Sequence, residues 1–195
     1  ELEQHVLERT AEIEDTRKRL QLAADAAGLG IWEWDNVNGR LIWDAQMYRI
    51  YGVSPEKFGG KLENIYEYII PEDQHIMSEA AYNIVVNLST NYQIEYRILR
   101  KNGEICTLAQ QGVAIFDENN ILVRVIGTVN DITQQKKAEQ ALREREAYAR
   151  LLFESAPDPV SVGDVEGKAL DVNKLFEIQH HVKREEIRGR HLSVL

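Results

Sequence analysis

The sequence predicts an α+β fold: a five-stranded antiparallel sheet, short helices inserted after its second strand, and a long helix at either end. Three observations predict it. Residues 31–35 and 92–98 alternate apolar and polar side chains as strands do, and 40–43, 104–116 and 121–130 read as further strands between turns. Between them, residues 45–88 read as short helices punctuated by Gly52, Pro55 and Pro71. Residues 2–27 and 133–155 contain neither Pro nor Gly and repeat side chains at intervals of three and four.

Residues 1–27 read as one helix. Leu2, Val6, Arg9, Ile13, Thr16, Leu20, Ala23 and Ala27 alternate spacings of four and three, an a/d seam in which Arg9 and Thr16 are the weak positions. Two readings are open: the helix lies on its own domain, or Leu2, Val6, Ile13 and Leu20 form the core of a parallel coiled coil with a second chain. Gly28 and Gly30 are expected to end the helix. Residues 31–35 and 40–43 form a hairpin around Asn36-Val37-Asn38-Gly39. A short helix bearing Met47, Ile50 and Tyr51 stops at Gly52, and Ser54-Pro55-Glu56 starts another.

Residues 62–70 are a further short helix. Pro71-Glu72-Asp73 opens a longer one reaching Leu88, its acidic groups in the first turn where the dipole favours them. Strands follow at 92–100, 104–116 and 121–130, joined by turns at Lys101-Asn102-Gly103 and at 117–120. Asp131 with Gln134 fits a capping pair for the helix over 133–155. Ile132, Gln135, Ala138 or Glu139, Leu142, Arg145, Ala149 and Leu152 give that helix a second, weaker seam.

The pattern then restarts. Residues 22–35 lie over residues 151–164 at an offset of 129, each reading helix, break, strand and then Asp. Gly39 matches Gly167 with one residue deleted; Leu175, Phe176 and Ile178 match Met47, Tyr48 and Ile50; Gly189 matches Gly60. So long a period implies tandem domains. The expected organisation is an N-terminal coiled-coil helix (1–27), a complete domain (28–132), an exit helix (133–155) and the N-terminal half of a second domain (156–195). That half lacks closing strands, so the chain is expected to be a piece of a longer array whose open edge and apolar faces need a cover, such as a partner chain.

Charge and composition narrow the function. The 195 residues carry a formal charge of -9, which argues against nucleic acid and anionic membrane surfaces. Cys106 is the sole cysteine, so neither a disulfide nor a CxxC metal knuckle is available, and a reducing compartment is expected. No apolar run reaches the roughly 20 residues of a membrane span, and no signal peptide opens the chain. The expected location is cytoplasmic, and whether a parent chain is anchored to a membrane stays open.

Taken together, Gly30-Ile-Trp-Glu-Trp-Asp35, Gly39 to Trp43 and Tyr51-Gly-Val-Ser-Pro-Glu56 resemble the opening of a PAS domain of the bacterial and archaeal sensory-box type. Ile70 to Asp73 resembles the family's proline before its long helix. Glu95-Tyr-Arg97, Lys101-Asn-Gly-Glu104, Gly127 to Thr133 and Lys136-Lys-Ala-Glu139 resemble its C-terminal half and exit helix. Residues 2–13 resemble a linker frequent in sensor histidine kinases. One departure is Thr107, where the family often has Trp after its Asp-Gly turn. The resemblance implies a sheet cradling short helices, and a role in sensing and dimer signalling within a multi-PAS histidine kinase. The ligand stays open, since relatives bind haem, flavin, small metabolites or nothing.

In such a fold the inner face of the sheet lines a cavity, and the candidate lining residues are Trp34, Met47, Ile50, Tyr82, Tyr96, Ile98, Leu108, Ile126 and Thr128. Trp32 and Trp43 share the hairpin with Trp34. Asp131, Ile132 and Thr133 are the candidate signal exit. No cofactor is evident. Haem-binding relatives use a His on the long helix, but His75 sits in its first turn and reads as a surface residue; with Glu72 and Asp73 it reads as capping chemistry rather than a metal site. Covalent flavin chemistry in relatives needs a Cys on a helix, whereas Cys106 lies on a strand and reads as a small hydrophobe. His180-His181 lacks the context of a phospho-acceptor, and no catalytic triad or nucleotide loop is present. The expected function is a non-catalytic sensory or relay module that homodimerises, takes a small ligand and drives downstream signalling domains, with a histidine kinase as parent. The alternatives are a ligand-free dimerisation spacer and the input of a diguanylate cyclase.

Overall fold

The structure is a computed structural model that describes residues 2–191, with backbone alone for residues 2–4 and 6–8. The chain divides into two compact units, Glu1–Lys136 and Lys137–Leu195.

Helix α1 (Leu2–Ala26) opens the first unit. Ile13 and Leu20 are 66% and 67% exposed, so this part of the seam packs on nothing within its own unit. The side chains of Leu2 and Val6 lie outside the described residues. Gly28, at φ +68, turns the chain out of the helix. Gly30 does different work from the expected helix stop: it is the first residue of strand β1 (Gly30–Asp35). A Cβ there would meet the Met47 sulfur at 2.6 Å.

Strands β1, β2 (Arg40–Trp43), β3 (Asn91–Leu99), β4 (Ile105–Phe116) and β5 (Leu122–Asp131) form one antiparallel sheet in the order β2-β1-β5-β4-β3. The family-type α+β fold with its five strands is as the sequence predicts. Between β2 and β3 lie α2 (Ala45–Tyr51), α3 (Pro55–Phe58), 3-10 turns at Leu62–Glu67 and Pro71–Asp73, and α4 (Gln74–Val85). Asp44 caps α2 by accepting the Met47 N–H at 2.8 Å, and Gly52 ends it in the left-handed region. The long helix stops short of Leu88, which takes φ +52 to send the chain back into β3. Asp73 is buried rather than a free first-turn acid. Its carboxylate accepts the backbone N–H, Nε and Nη2 of Arg97, pinning the start of α4 to β3.

Helix α5 (Thr133–Ser155) leaves the sheet and crosses the boundary between the units. In the second unit, a hairpin of β6 (Ser161–Gly163) and β7 (Ala169–Val172) precedes α6 (Lys174–His180) and α7 (Arg184–Ile187). Ala169, Val172, Phe176 and Ile187 make its small core. The cap Asn173, the left-handed His181 and helix α7 fall 129 residues after Asp44, Gly52 and α3. This corrects the alignment of the small helix. Phe176, not Leu175, stands at the Met47 position and is buried, whereas Leu175 and Ile178 are exposed. The deleted residue is regained directly after Gly167, because β7 must restore the pairing with β6.

Candidate functional site

One rung of the sheet creates the site. Cross-strand pairing aligns Trp43, Trp32, Gly127, Gly112 and Tyr92 in a single row from edge to edge. A Cβ on Gly127 would meet the Trp32 ring at 2.7 Å, and one on Gly112 would meet the Tyr92 ring at 2.5 Å. With no Cβ beneath them, both rings lie down on the sheet instead of standing off it. The space above them is a cavity of about 220 Å³.

The remaining walls follow from helical and strand periods. Helix α4 supplies Met77, Ala80, Ala81, Ile84 and Val85 from one face, spaced three and four apart. Helix α2 supplies Met47 and Tyr51, the 3-10 segment Leu62, Ile65 and Tyr66, and β5 Leu122 and Val125. Trp34, Asn36 and Gln110 complete the lining. Trp43 stacks on Phe58 with centroids 3.7 Å apart, fixing that corner.

The polar groups form an ordered chain behind this surface. Tyr96 donates to Gln110 Oε1 at 2.7 Å, which leaves Tyr51 to donate to the Tyr96 oxygen, also at 2.7 Å. Gln110 Nε2 donates to the Tyr92 oxygen at 2.6 Å, so the Tyr92 hydrogen itself has no acceptor among the described residues. Burial pushes the phenols of Tyr51, Tyr92 and Tyr96 well above the ordinary tyrosine range, so all three are neutral. The Trp34 indole N–H donates to Asn36 Oδ1. Those of Trp32 and Trp43 are buried with no partner among the described residues.

Of the candidate lining residues, Trp34 and Met47 line the cavity. Ile50, Ile98 and Leu108 are fully packed core beneath it, and Tyr96 stands behind it holding Tyr51 and Gln110. Tyr82 lies on the solvent side of α4, 58% exposed, because the inward stripe is Met77, Ala80 and Ile84. Ile126 and Thr128 occupy the outer face of β5, where Thr128 accepts from Gln111. The inner set is Val125, Gly127 and Val129; a glycine in its middle hides the alternation and invites the one-residue slip. Tyr92, Gln110, Gly112 and Gly127 were not read as site residues in the sequence. Their signal was two glycines inside long strands, a mark of close approach. Trp32 and Trp43, read with Trp34 as hairpin aromatics of which some would touch a ligand, also line the cavity.

His75 is exposed, with Nδ1 2.8 Å from the Glu72 carbonyl, and is not among the lining residues. Cys106 is buried in the core away from the lining, and burial pushes its thiol up.

The exit of the chain is tied to the same walls. Arg100 Nε donates to the Ile50 carbonyl at the end of α2 (2.7 Å), Nη1 to Glu104 (2.9 Å) and Nη2 to Asp131 (2.9 Å). Asp131 in turn accepts the N–H and hydroxyl of Thr133, not of Gln134 as the capping pattern suggests. Thr133 Oγ1 accepts the Thr107 N–H at 2.9 Å, and Ile132 and Thr133 are buried.

A family model described as the PAS fold matches residues 40–129. The chain is 33% identical over 146 residues to a blue-light-activated histidine kinase of Brucella ovis, covering 73% of this chain and 29% of that protein. It is 27% identical over 187 residues to a probable diguanylate cyclase, DgcE, of Escherichia coli, covering 94% of this chain and 16% of that protein. The chain thus spans less than a third of these relatives. The crystal structure of a sensory box histidine kinase/response regulator from Burkholderia thailandensis superposes with a TM-score of 0.57 at 25% identity, over 69% of this chain and 99% of that one.

Proposed function

The chain carries a PAS domain, and from that premise we propose that it is a sensory module whose cavity sets the geometry of its exit helix. The observation that carries this reading is the Arg100 guanidinium. One side chain holds the carbonyl end of α2, which walls the cavity, and the carboxylate that caps α5. Occupancy that moves α2 is felt at Asp131 and re-aims α5, a small displacement read by whatever follows. The module itself performs no chemistry.

Downstream, the reading is a histidine kinase parent, with a diguanylate cyclase as the alternative output; a relative of each kind supports it. Exposed Ile13 and Leu20 support pairing of α1 with a second copy as a coiled coil. The 129-residue correspondence of caps and small helices supports the second unit as the N-terminal half of another PAS domain (156–195), after a first domain at 28–132. The buried free thiol of Cys106 supports a reducing cytoplasm. A haem reading lacks an imidazole at the cavity, and a covalent flavin reading lacks a thiol there, among the described residues.

Native mass spectrometry with an absorbance spectrum, on protein as purified from cells, tests the sensory reading. A bound small molecule is expected. A bare polypeptide whose α5 ignores every change in the cavity would leave only the spacer.

A further inference from the structure

We infer that Arg184 is a positioning residue that clamps the C-terminal end of α5 to the small core of the second unit. Helix end and core then turn as one body, and the second unit receives the motion that α5 carries. The clamp stands on geometry; that it carries a signal rests on the sensory reading.

Glu154 lies in the last turn of α5, where the helix dipole disfavours a carboxylate. Its partners across the second unit lie outside that helix. Oε1 accepts from Arg184 Nη2, and Oε2 accepts the Lys174 N–H, the first of α6, at 3.1 Å. The Arg184 guanidinium then reaches β7. Nη2 also donates to the Val172 carbonyl at 2.6 Å, and Nε faces both that carbonyl (2.9 Å) and Asp171 Oδ1 (2.8 Å). Arg150, one turn before Glu154, closes the ring: Nη1 meets Asp171 at 2.8 Å and Nη2 meets Glu154 at 3.0 Å. Two residues of α5, one of β7 and one of α7 thus alternate in sign around a single network.

An isolated surface ion pair holds little. Here the side chains of Arg184, Glu154 and Asp171 are each less than a third exposed, and the planar fork of Arg184 is engaged by a carboxylate from each of two elements. Apolar burial does not hold this end of α5. Leu151 and Leu152 are 62% and 53% exposed, and the core of Ala169, Val172, Phe176 and Ile187 takes in no residue of the helix. The first unit is the internal comparison. At the offset of 129, Gln21, Asp25, Ile42 and Pro55 stand where Arg150, Glu154, Asp171 and Arg184 stand. Of the four charges one carboxylate remains, and it faces Arg49 at 3.9 Å between exposed side chains. A hairpin followed by two small helices therefore forms without the clamp, which belongs to the helix that joins one domain to the next.

The test uses the full chain, deuterated and 15N-labelled, in a weakly aligning medium. Residual dipolar couplings of residues 145–155 and 161–187 are expected to fit one alignment tensor in the wild type and to need two in Arg184→Ala. Arg184→Lys, which keeps the charge without the fork, is expected to fall between them. The amide shifts of Val172 and Phe176 check that the small core still folds. Should Arg184→Ala unfold it, Glu154→Gln keeps an oxygen for the Lys174 N–H while removing the charge, and carries the same expectation. A single tensor in a folded variant overturns the clamp. The relay is read by hydrogen exchange after Ala80→Leu, which fills part of the cavity. Protection at residues 184–187 is expected to change, and that change is expected to be lost in the Arg184→Ala background. If residues 133–137 respond while 184–187 do not, the sensory reading stands and the second unit is not the receiver. If neither responds, the sensory reading falls and the relay with it, and the tensors still decide the clamp.

Discussion

Gly112 shows how one absent side chain organises the site. Its inner face is filled by the Tyr92 ring, so Gly112→Ala forces that ring up into the cavity and pulls its oxygen off Gln110. The expected cost is about 1–3 kcal/mol, as for overpacking of a core, read by chemical denaturation. Tyr96 stands at the centre of the buried polar chain. Tyr96→Phe leaves the Tyr51 hydroxyl and Gln110 Oε1 without their shared partner. Chemical denaturation should show a loss of about 1–3 kcal/mol. Asp73 gives a pH-dependent contribution. The Arg97 guanidinium beside it holds its carboxyl below the ordinary range. A depressed carboxylate stabilises the fold above the unfolded value of about 3.9, and that stabilisation fades as pH falls through the folded value. Half of Arg97 is exposed to solvent, so screening limits the effect. Asp73→Asn should therefore lower Tm at pH 7, and the gap from wild type should shrink as the pH is brought below 4. A gap that stays constant with pH would remove the ion pair from the account.

Elements differ in how openly the sequence declares them. The strands were legible because Tyr92, Ile94, Tyr96 and Ile98 alternate without interruption and Asn102-Gly103 marks the turn. Helices α2 and α3 were legible from Gly52 and Pro55. The cavity was less so. Its lining comes from eight separate elements, and its floor is defined by what Gly112 and Gly127 lack, which no hydrophobic pattern registers. The inward face of β5 was lost at the same glycine. At the exit, Asp131-Ile132-Thr133 was found by resemblance, but its partner Arg100 is 31 residues away and only the fold brings them together. Asp131→Ala should loosen the first turn of α5 while the sheet, which does not depend on that carboxylate, melts close to the wild-type temperature. A large fall in Tm would make the residue structural instead.

For the whole molecule, the exposed apolar positions Ile13 and Leu20 of α1 bear on the proposed pairing with a second copy. Sedimentation at high micromolar concentration should show a dimer that Leu20→Glu dissociates; a wild-type monomer would remove the coiled coil from the reading. Coupling between the cavity and the exit helix is measured by a double-mutant cycle. Ala80→Leu fills part of the cavity from α4, and Arg100→Ala cuts the connection from α2 to Asp131. The measurement is hydrogen exchange at the amides of residues 133–137 in wild type, each single variant and the double variant. Ala80→Leu is expected to change protection there, and that change is expected to disappear in the Arg100→Ala background. An exit helix that ignores the filled cavity, or responds equally without Arg100, would contradict it.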